Sequence, residues 1–298
     1  VAFGADDCAT MHTVPDGIQS LQDVIKLGLC RNPQTAAAYA SLQSSRFNKN
    51  AGYANYLPSV SAGISAGKDY RNKDWGDWGY GASISASYLI FDFGKRTADM
   101  KQMIATYRAA GFDFSETVQN FVYGLVGSYY ELLNADADVK SSESALTVAQ
   151  TAYDTASKKF KAGSVARADV LKAETTLANS KLSVERAKNN REIAKGTLLT
   201  KLSFPADNDI TIADMSSVFG SDAESDNIEE LLKIAREKRP DLLKASANKD
   251  AAWHKRNSAF LKNLPSISAS GSISWNEDHF SDVFSPSSNQ INGSIGIR

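Results

Sequence analysis

Much that would narrow a function quickly is scarce in this chain of 298 residues. No apolar run approaches the roughly 20 residues that a membrane-crossing helix requires, which excludes an ordinary helical span. An excess of either charge is also lacking. Lys and Arg number 33 against 34 Asp and Glu, and a net charge of −1 gives no global pull toward nucleic acid or an anionic surface. His12, His254 and His279 are scattered, no cysteine–histidine set has zinc-ligand spacing, and no glycine loop of the phosphate-binding type occurs. The residues therefore point to no catalytic group, no cofactor site and no metal site, and to a protein that is not an enzyme. Only two cysteines occur, Cys8 and Cys30. A close pair of this kind suits a disulfide in an oxidising compartment, contributing on the order of 3 kcal/mol. Two free thiols, with Cys30 buried on a helix, is the other reading. The chain starts at Val1 rather than Met, so removal of an N-terminal segment such as a signal peptide is expected.

What the chain does contain is a repetition. YLPSVSAGISAG (56–67) returns as NLPSISASGSIS (263–274), and both Pro58/Pro265 and Pro33/Pro240 are separated by 207 residues. At that offset SLQDVIKLGLCRNPQ (20–34) falls on NIEELLKIAREKRPD (227–241), so Leu21 meets Ile228 and Val24 meets Leu231. Each copy opens on a capping residue with an acid three positions on, Ser20 with Asp23 and Asn227 with Glu230, the signature of a helix start. A second helix (34–55; 241–262) then runs to the Leu-Pro-Ser phrase. Proline ends a helix and is tolerated at the start of a strand.

The following segments alternate with a period of two. Val60, Ala62, Ile64 and Ala66 oppose Ser59, Ser61, Gly63 and Ser65. Ala82, Ile84, Ala86, Tyr88 and Ile90 oppose Ser83, Ser85 and Ser87. Segment 266–275 sets Ile267, Ala269, Ile273 and Trp275 against four serines, and Ile291, Ile295 and Ile297 continue the pattern. Ten or so residues, apolar on one side and small and polar on the other, is the pattern of a transmembrane barrel strand. The linkers 71–80 and 276–289 read as polar turns carrying Trp75, Trp78, Tyr80, Phe280 and Phe284, which suits an interfacial aromatic girdle. A hairpin of a soluble sandwich has the same alternation.

After Phe91-Asp92-Phe93-Gly94 the period changes. Every seventh residue from Ile104 (Gly111, Val118, Leu125, Leu132, Val139, Leu146, Tyr153, Phe160) is apolar apart from the glycine. The row from Met100 is bulky at first and then small, and together the two rows form a coiled-coil seam. No proline interrupts 95–160, which predicts a helix roughly 100 Å long. KAGSVARAD (161–169) turns the chain into a second helix, with Val170, Leu177, Val184 and Leu198 at heptad spacing, that ends near Pro205.

The order helix, hairpin, long helix, turn, long helix, helix and hairpin resembles the TolC-like outer-membrane efflux protein family. Asn32-Pro33 and Arg239-Pro240 match its repeat starts. Leu57-Pro58 and Leu264-Pro265, each followed by serine, match its helix-to-barrel transition. Phe91–Gly94 matches its barrel-exit motif, and KFKAGSVARADVLKAETTL (159–177) its periplasmic helix-turn-helix. The resemblance implies a mainly α fold with transmembrane β: a long antiparallel α-helical barrel joined to β-hairpins of a 12-stranded barrel shared by a homotrimer. The domains expected are an N-terminal tail (1–19), a first repeat (20–226, hairpin about 59–92, helix pair about 95–203) and the start of a second (227–298, hairpin about 266–298). The second repeat would be truncated, with about a quarter to a third of the mature length lying outside the chain. The implied function is a passive exit duct of tripartite efflux or type I protein secretion, placed in the outer membrane with its lipids and with its helices in the periplasm. A periplasmic adaptor and an inner-membrane transporter would be its partners, with no role for nucleic acid. Ala162, Gly163, Ser164 and Val165 would be the adaptor-contact tip, although a plain helix turn with Gly163 as C-cap reads the same residues. Asp169 would belong to the closed gate, or be a charge suited to a helix N-terminus. The Cys8/Cys30 arrangement followed by CRNPQT leans toward protein secretion. A structural coiled coil or surface-attachment protein without a channel is the alternative.

Overall fold

The computed structural model describes residues 18–71, 74–212, 228–277 and 289–297. In chain order the elements are β1 (Ile18–Gln19), α1 (Leu21–Arg31), α2 (Pro33–Gly52), β2 (Ser59–Arg71), β3 (Asp74–Phe91), α3 (Lys95–Lys161), α4 (Arg167–Lys201), β4 (Thr211–Ile212), α5 (Ile228–Lys238), α6 (Pro240–Leu261), β5 (Ile267–Glu277) and β6 (Asn289–Ile297). Helices dominate, and none of those described is long and apolar enough to cross a membrane. The chain forms two compact units, Val1–Tyr39 with Phe114–Ile234, and Ala40–Asp113 with Ala235–Arg298.

The core of the first unit forms where three layers meet. Apolar positions of α1 (Val24, Leu27) pack with Phe121, Leu125, Tyr129 and Leu132 of α3 and with Leu198 and Leu199 of α4. Leu202, Phe204, Ile210 and Ile212 follow α4 into the same cluster, and the short parallel pairing of β1 with β4 joins the start of this unit to that segment. The entry of α1 is fixed by Ser20, whose Oγ accepts from the Asp23 amide at 3.3 Å and donates to the Asp23 carboxylate at 2.6 Å. That hydroxyl holds Asp23 below the usual carboxylate range. The equivalent Asn227 lies outside the described residues. Asn32 then caps α2, its Oδ1 accepting from Gln34 at 2.8 Å and Thr35 at 3.2 Å, with Pro33 at the first helical position where no amide is needed. In the second copy arginine replaces the capping asparagine. There Asp241 accepts the Leu242 amide at 2.8 Å and pairs with Arg239, so a charged clamp takes over the role.

The seam rows are the covered faces of α3 and α4. Leu125, Leu132, Phe121, Ser128, Ala135 and Ala149 are buried on α3, and Leu177, Val184, Ala187, Ala194 and Leu198 on α4. Two ion pairs tie the helices together along the seam, Arg191–Asp136 at 2.5 Å and Lys188–Glu143 at 3.5 Å. The hydrogen bond from Arg191 to Asp136 raises the arginine further above its ordinary value. Contact with Glu192 does the same for Lys195, which also reaches Asp209 at 3.3 Å.

In the second unit the four strands form one antiparallel sheet in the order β2-β3-β5-β6. Segment 71–80, expected to be a polar turn, is mostly strand. β3 starts at Asp74, and Lys68 pairs with Trp78 and Gly67 with Gly79. Aspartate and glycine give this stretch low strand propensity of its own, and pairing with Gly67–Arg71 of β2 overrides it. Phe280 and Phe284 lie outside the described residues. The second helix of the first repeat also ends earlier than expected: α2 stops at Gly52 and tightens into a 3₁₀ turn, Tyr53–Tyr56. At Gly52 a side chain would collide with the Met103 sulfur of α3.

A Cβ on Gly28 would stand 2.7 Å from Leu125 Cδ2 and 3.3 Å from Leu202 Cδ2, both in backed-up core positions. Gly28→Val is therefore expected to lower stability by about 1–3 kcal/mol through overpacking, read as a lower melting temperature of the first unit's helical signal.

Candidate functional site

The four-stranded sheet has two unlike faces, and its register lines up equivalent residues across all strands. Ala62, Ile84, Ile273 and Ile291 stand in one row of the apolar face. Ser59, Ser87, Ser270 and Ser294 form a row of the other face, with Ser61, Ser85, Ser272 and Asn292 in the next. The serines bond to one another across the strands: Ser59–Ser87 and Ser61–Ser85 at 2.7 Å, and Ser270–Ser294 at 2.9 Å. A hydroxyl both donates and accepts, so such a ladder is satisfied within itself and still offers lone pairs to water. The apolar face is bare. Ile64 is 93% exposed and Ile295 77%. β2 and β6 each pair on one side only, which leaves two open sheet edges in the chain.

Helix becomes strand at Leu57-Pro58 and Leu264-Pro265. Leu57 has extended backbone and bonds back to the Ala54 carbonyl at 3.0 Å, and Leu264 bonds to Leu261 at 3.1 Å. Each proline then removes the amide that would continue the turn. All four residues are exposed, so they act through the backbone path and not as a buried site.

Strand returns to helix at Phe91–Gly94, and here the structure shows chemistry that the sequence reading did not assign. Phe93 and Gly94 both have positive φ, 51° and 89°. Asp92 holds the strained corner. Its Oδ1 accepts from Gly94 N at 3.2 Å, and its Oδ2 accepts from Arg96 N at 2.8 Å and Arg96 Nε at 3.1 Å. Arg96 also donates to the Ile90 carbonyl at 3.3 Å and lies over the Tyr56 ring, 5.2 Å from its centroid. One turn on, Asp99 accepts from Lys95 at 2.8 Å and from the Ser258 hydroxyl of α6. Burial alone would raise Asp99, but the bonds from Lys95 and Ser258 outweigh it and hold the carboxylate below its usual range. The signal for this lock was present in the sequence as an aspartate two residues before a glycine and four before an arginine.

The turn between α3 and α4 is built from two caps. Gly163, at φ 75°, donates to Phe160 O at 2.9 Å and Ser164 to Lys159 O at 2.8 Å, the paired bonds of a Schellman stop. Asp169 Oδ2 accepts from the Ala166 amide at 3.2 Å while its own amide donates to the Ala166 carbonyl at 3.0 Å. Ala162, Gly163 and Ser164 are exposed and Val165 is half-buried. Beside the turn, Thr147, Val148, Thr151, Ala152, Lys159 and Val165 line an open groove of about 600 Å³. Cys30 is disulfide-bonded, and Cys8 lies outside the described residues.

With this geometry in view, a family model described as outer membrane efflux protein matches residues 24–202. Among curated proteins, CyaE of Bordetella pertussis is 23% identical over 282 residues, covering 94% of this chain and 59% of CyaE. The chain thus spans well under two thirds of that relative. Among solved structures, CusC superimposes with a TM-score of 0.80 at 18% identity, covering 97% of this chain and 68% of CusC. The CmeC outer membrane channel of Campylobacter jejuni gives 0.74 at 18% identity, covering 93% and 61%. At such identities the likeness establishes the fold: mostly helical, with a small antiparallel sheet.

The Asp92 lock carries a clear expectation. Asp92→Ala removes the cap of α3 and leaves Arg96 without its carboxylate, lowering stability by about 2 kcal/mol in denaturant unfolding. Asp92→Asn keeps one acceptor oxygen, enough for one of the two amides, and is expected to retain about half of that stability.

Proposed function

The chain belongs to the outer membrane efflux protein family, and on that premise we propose that it supplies one wall segment of a passive exit duct. It is a protein of the cell outer membrane with a periplasmic helical domain. Three copies, four strands each, close a 12-stranded barrel that continues as a tube of helices. A periplasmic adaptor docks on the turn Ala162–Val165, and an inner-membrane transporter supplies the energy. The duct serves tripartite efflux or type I protein secretion, the latter favoured by CRNPQT, which starts at the disulfide-bonded Cys30. No step of this function needs a catalytic group.

One observation supports the reading above the others: a sheet with a bare apolar face, a hydroxyl-lined face and both edges open. In lipid every backbone group must be bonded within protein, so open edges demand neighbouring strands. A duct needs a wettable, uncharged lining, which the serines provide, and a lipid-facing exterior, which the isoleucines provide. A purely structural coiled coil leaves this sheet without a role.

Two adjacent residues of β3 test the reading, because Ile84 lies on the apolar face and Ser85 on the hydroxyl face. Ile84→Lys is expected to block assembly in the outer membrane, since a lysine toward lipid costs about 2–4 kcal/mol near mid-bilayer. Ser85→Lys is expected to assemble and to shift ion selectivity toward anions in planar-bilayer recordings. Equal assembly of both variants would remove the membrane orientation.

The gate role of Asp169 is separable from its capping role. Asp169→Ala and Asp169→Asn are both expected to raise the resting conductance of the closed channel, although asparagine still accepts the Ala166 amide. Wild-type conductance in the Asn variant would leave Asp169 as a cap alone.

A further inference from the structure

The two repeats share a feature that the duct reading leaves unused. Lys49 and Arg256 each stand nine residues before the strand-starting proline, Pro58 or Pro265, and each is followed four residues later by an aromatic, Tyr53 or Phe260. The 207-residue offset superimposes both members of the pair. The aromatics are open, Tyr53 at 55% and Phe260 at 71% exposure. Each cation also sits over a ring within the second unit: Lys49 Nζ lies 4.8 Å from the Tyr107 centroid, and the Arg256 guanidinium 4.3 Å from that of Trp253. On α6, Trp253, Arg256 and Phe260 follow one another at spacings of three and four, so they share one helix face that runs toward the strand.

Their distance from the strands decides what this pair meets. At α-helical rise nine residues span about 13 Å, and the first copy is slightly longer because Tyr53–Tyr56 is a 3₁₀ turn. The headgroup layer is roughly 5–8 Å deep, and a further Debye length of about 8 Å lies beyond it. Lys49 and Arg256 fall inside that reach, whereas Arg239 and Lys244, much earlier on α6, do not. Within about ten residues on the helix side of the three junctions of helix and strand, at Pro58, Phe91 and Pro265, stand seven Lys and Arg side chains and two carboxylates, Asp92 and Asp99. Both carboxylates are engaged, Asp92 with Arg96 and Asp99 with Lys95. The local balance is strongly positive in a chain whose net charge is −1.

We propose that Lys49 with Tyr53 and Arg256 with Phe260 form a duplicated anchor for anionic phospholipid headgroups of the periplasmic leaflet. The inference rests on the outer-membrane duct reading. The aromatic enters the interfacial zone, where amphipathic rings are favoured, and the cation one turn below binds the lipid phosphate. The ring beneath each cation holds it in place with part of its water removed, which strengthens its attraction for an anion.

The test uses the full-length protein reconstituted in phosphatidylethanolamine/phosphatidylcholine bilayers. Spin-labelled phosphatidylglycerol is compared with spin-labelled phosphatidylcholine for association at the protein surface. Wild type is expected to favour phosphatidylglycerol. Lys49→Gln combined with Arg256→Gln is expected to lose that preference, by up to about 5-fold per cation. Lys49→Arg combined with Arg256→Lys keeps the charge and is expected to keep the preference. An unchanged preference in the Gln variant overturns the inference, and so does an equal loss in the charge-conserving variant. A Gln variant that keeps its lipid preference but loses binding of an acidic protein partner overturns it as well. Ion conductance of the same bilayers separates the two readings. A conducting channel without lipid preference overturns the anchor alone, while a protein that assembles but does not conduct overturns the duct on which it rests.

Discussion

The backbone of the four-stranded sheet sets the terms for the rest of the protein. An N–H or C=O facing hydrocarbon without a partner costs several kcal/mol, so a sheet placed in lipid has to close on itself. One hairpin is marginal even in water. Here the hairpin of each repeat is completed by the other repeat, through the pairing of β3 with β5. Duplication is thus built into the sheet: its outer edges, β2 and β6, come one from each copy. The same constraint explains the small residues. Serine and glycine fill the hydroxyl face, and the ladder of Ser–Ser bonds satisfies side chains that would otherwise compete for the backbone.

The two kinds of junction follow from the need to leave the sheet cleanly. Entry uses proline, a covalent device, after a backbone turn bond at Leu57 and at Leu264. Exit is harder, because the chain turns through two residues of positive φ into a helix whose first amides lack partners. Asp92 supplies those partners, and Arg96 compensates the charge of Asp92 while fastening the last strand residues through Ile90. A surface ion pair of this sort has small intrinsic value. Both side chains are largely covered, however, with 14% and 11% of their surfaces exposed, so removing one strands the other.

Features with a local cause were legible in the sequence, and features made by distant contacts were not. Pro58 and Pro265 mark where the chain passes into strand, which begins at Ser59 and Ile267. The heptad rows predicted the buried seam, and Gly163 predicted the helix stop, because each follows from a periodicity or a single permitted φ. By contrast, α2 ends at Gly52 and not near residue 55, in a region where Gly52 lies against Met103. The stretch after Arg71 looked like a turn by composition and is strand because its partner extends that far. Asp99 meeting Ser258, or Arg191 meeting Asp136, involves positions 159 and 55 residues apart, which no local pattern announces.

The same reasoning accounts for the change from bulky to small residues along α3. Phe121, Leu125, Tyr129 and Leu132 lie where α1 and the segment after α4 add a third layer, and there large side chains are fully covered. Beyond Ala135, among the described residues, α3 and α4 face each other alone, and their buried residues dwindle to Ala149, Leu177, Val184 and Ala187. Val148, Leu171 and Leu182 are left open in the same region. With about 25 cal/mol of stabilisation per Å² of apolar surface covered, that stretch has far less holding it than the three-layer end. Local opening therefore costs least toward the turn, where both caps are made by backbone bonds and the Asp169 carboxylate and not by a core. The helix pair is therefore firmest at its three-layer end and yields first at the turn between α3 and α4.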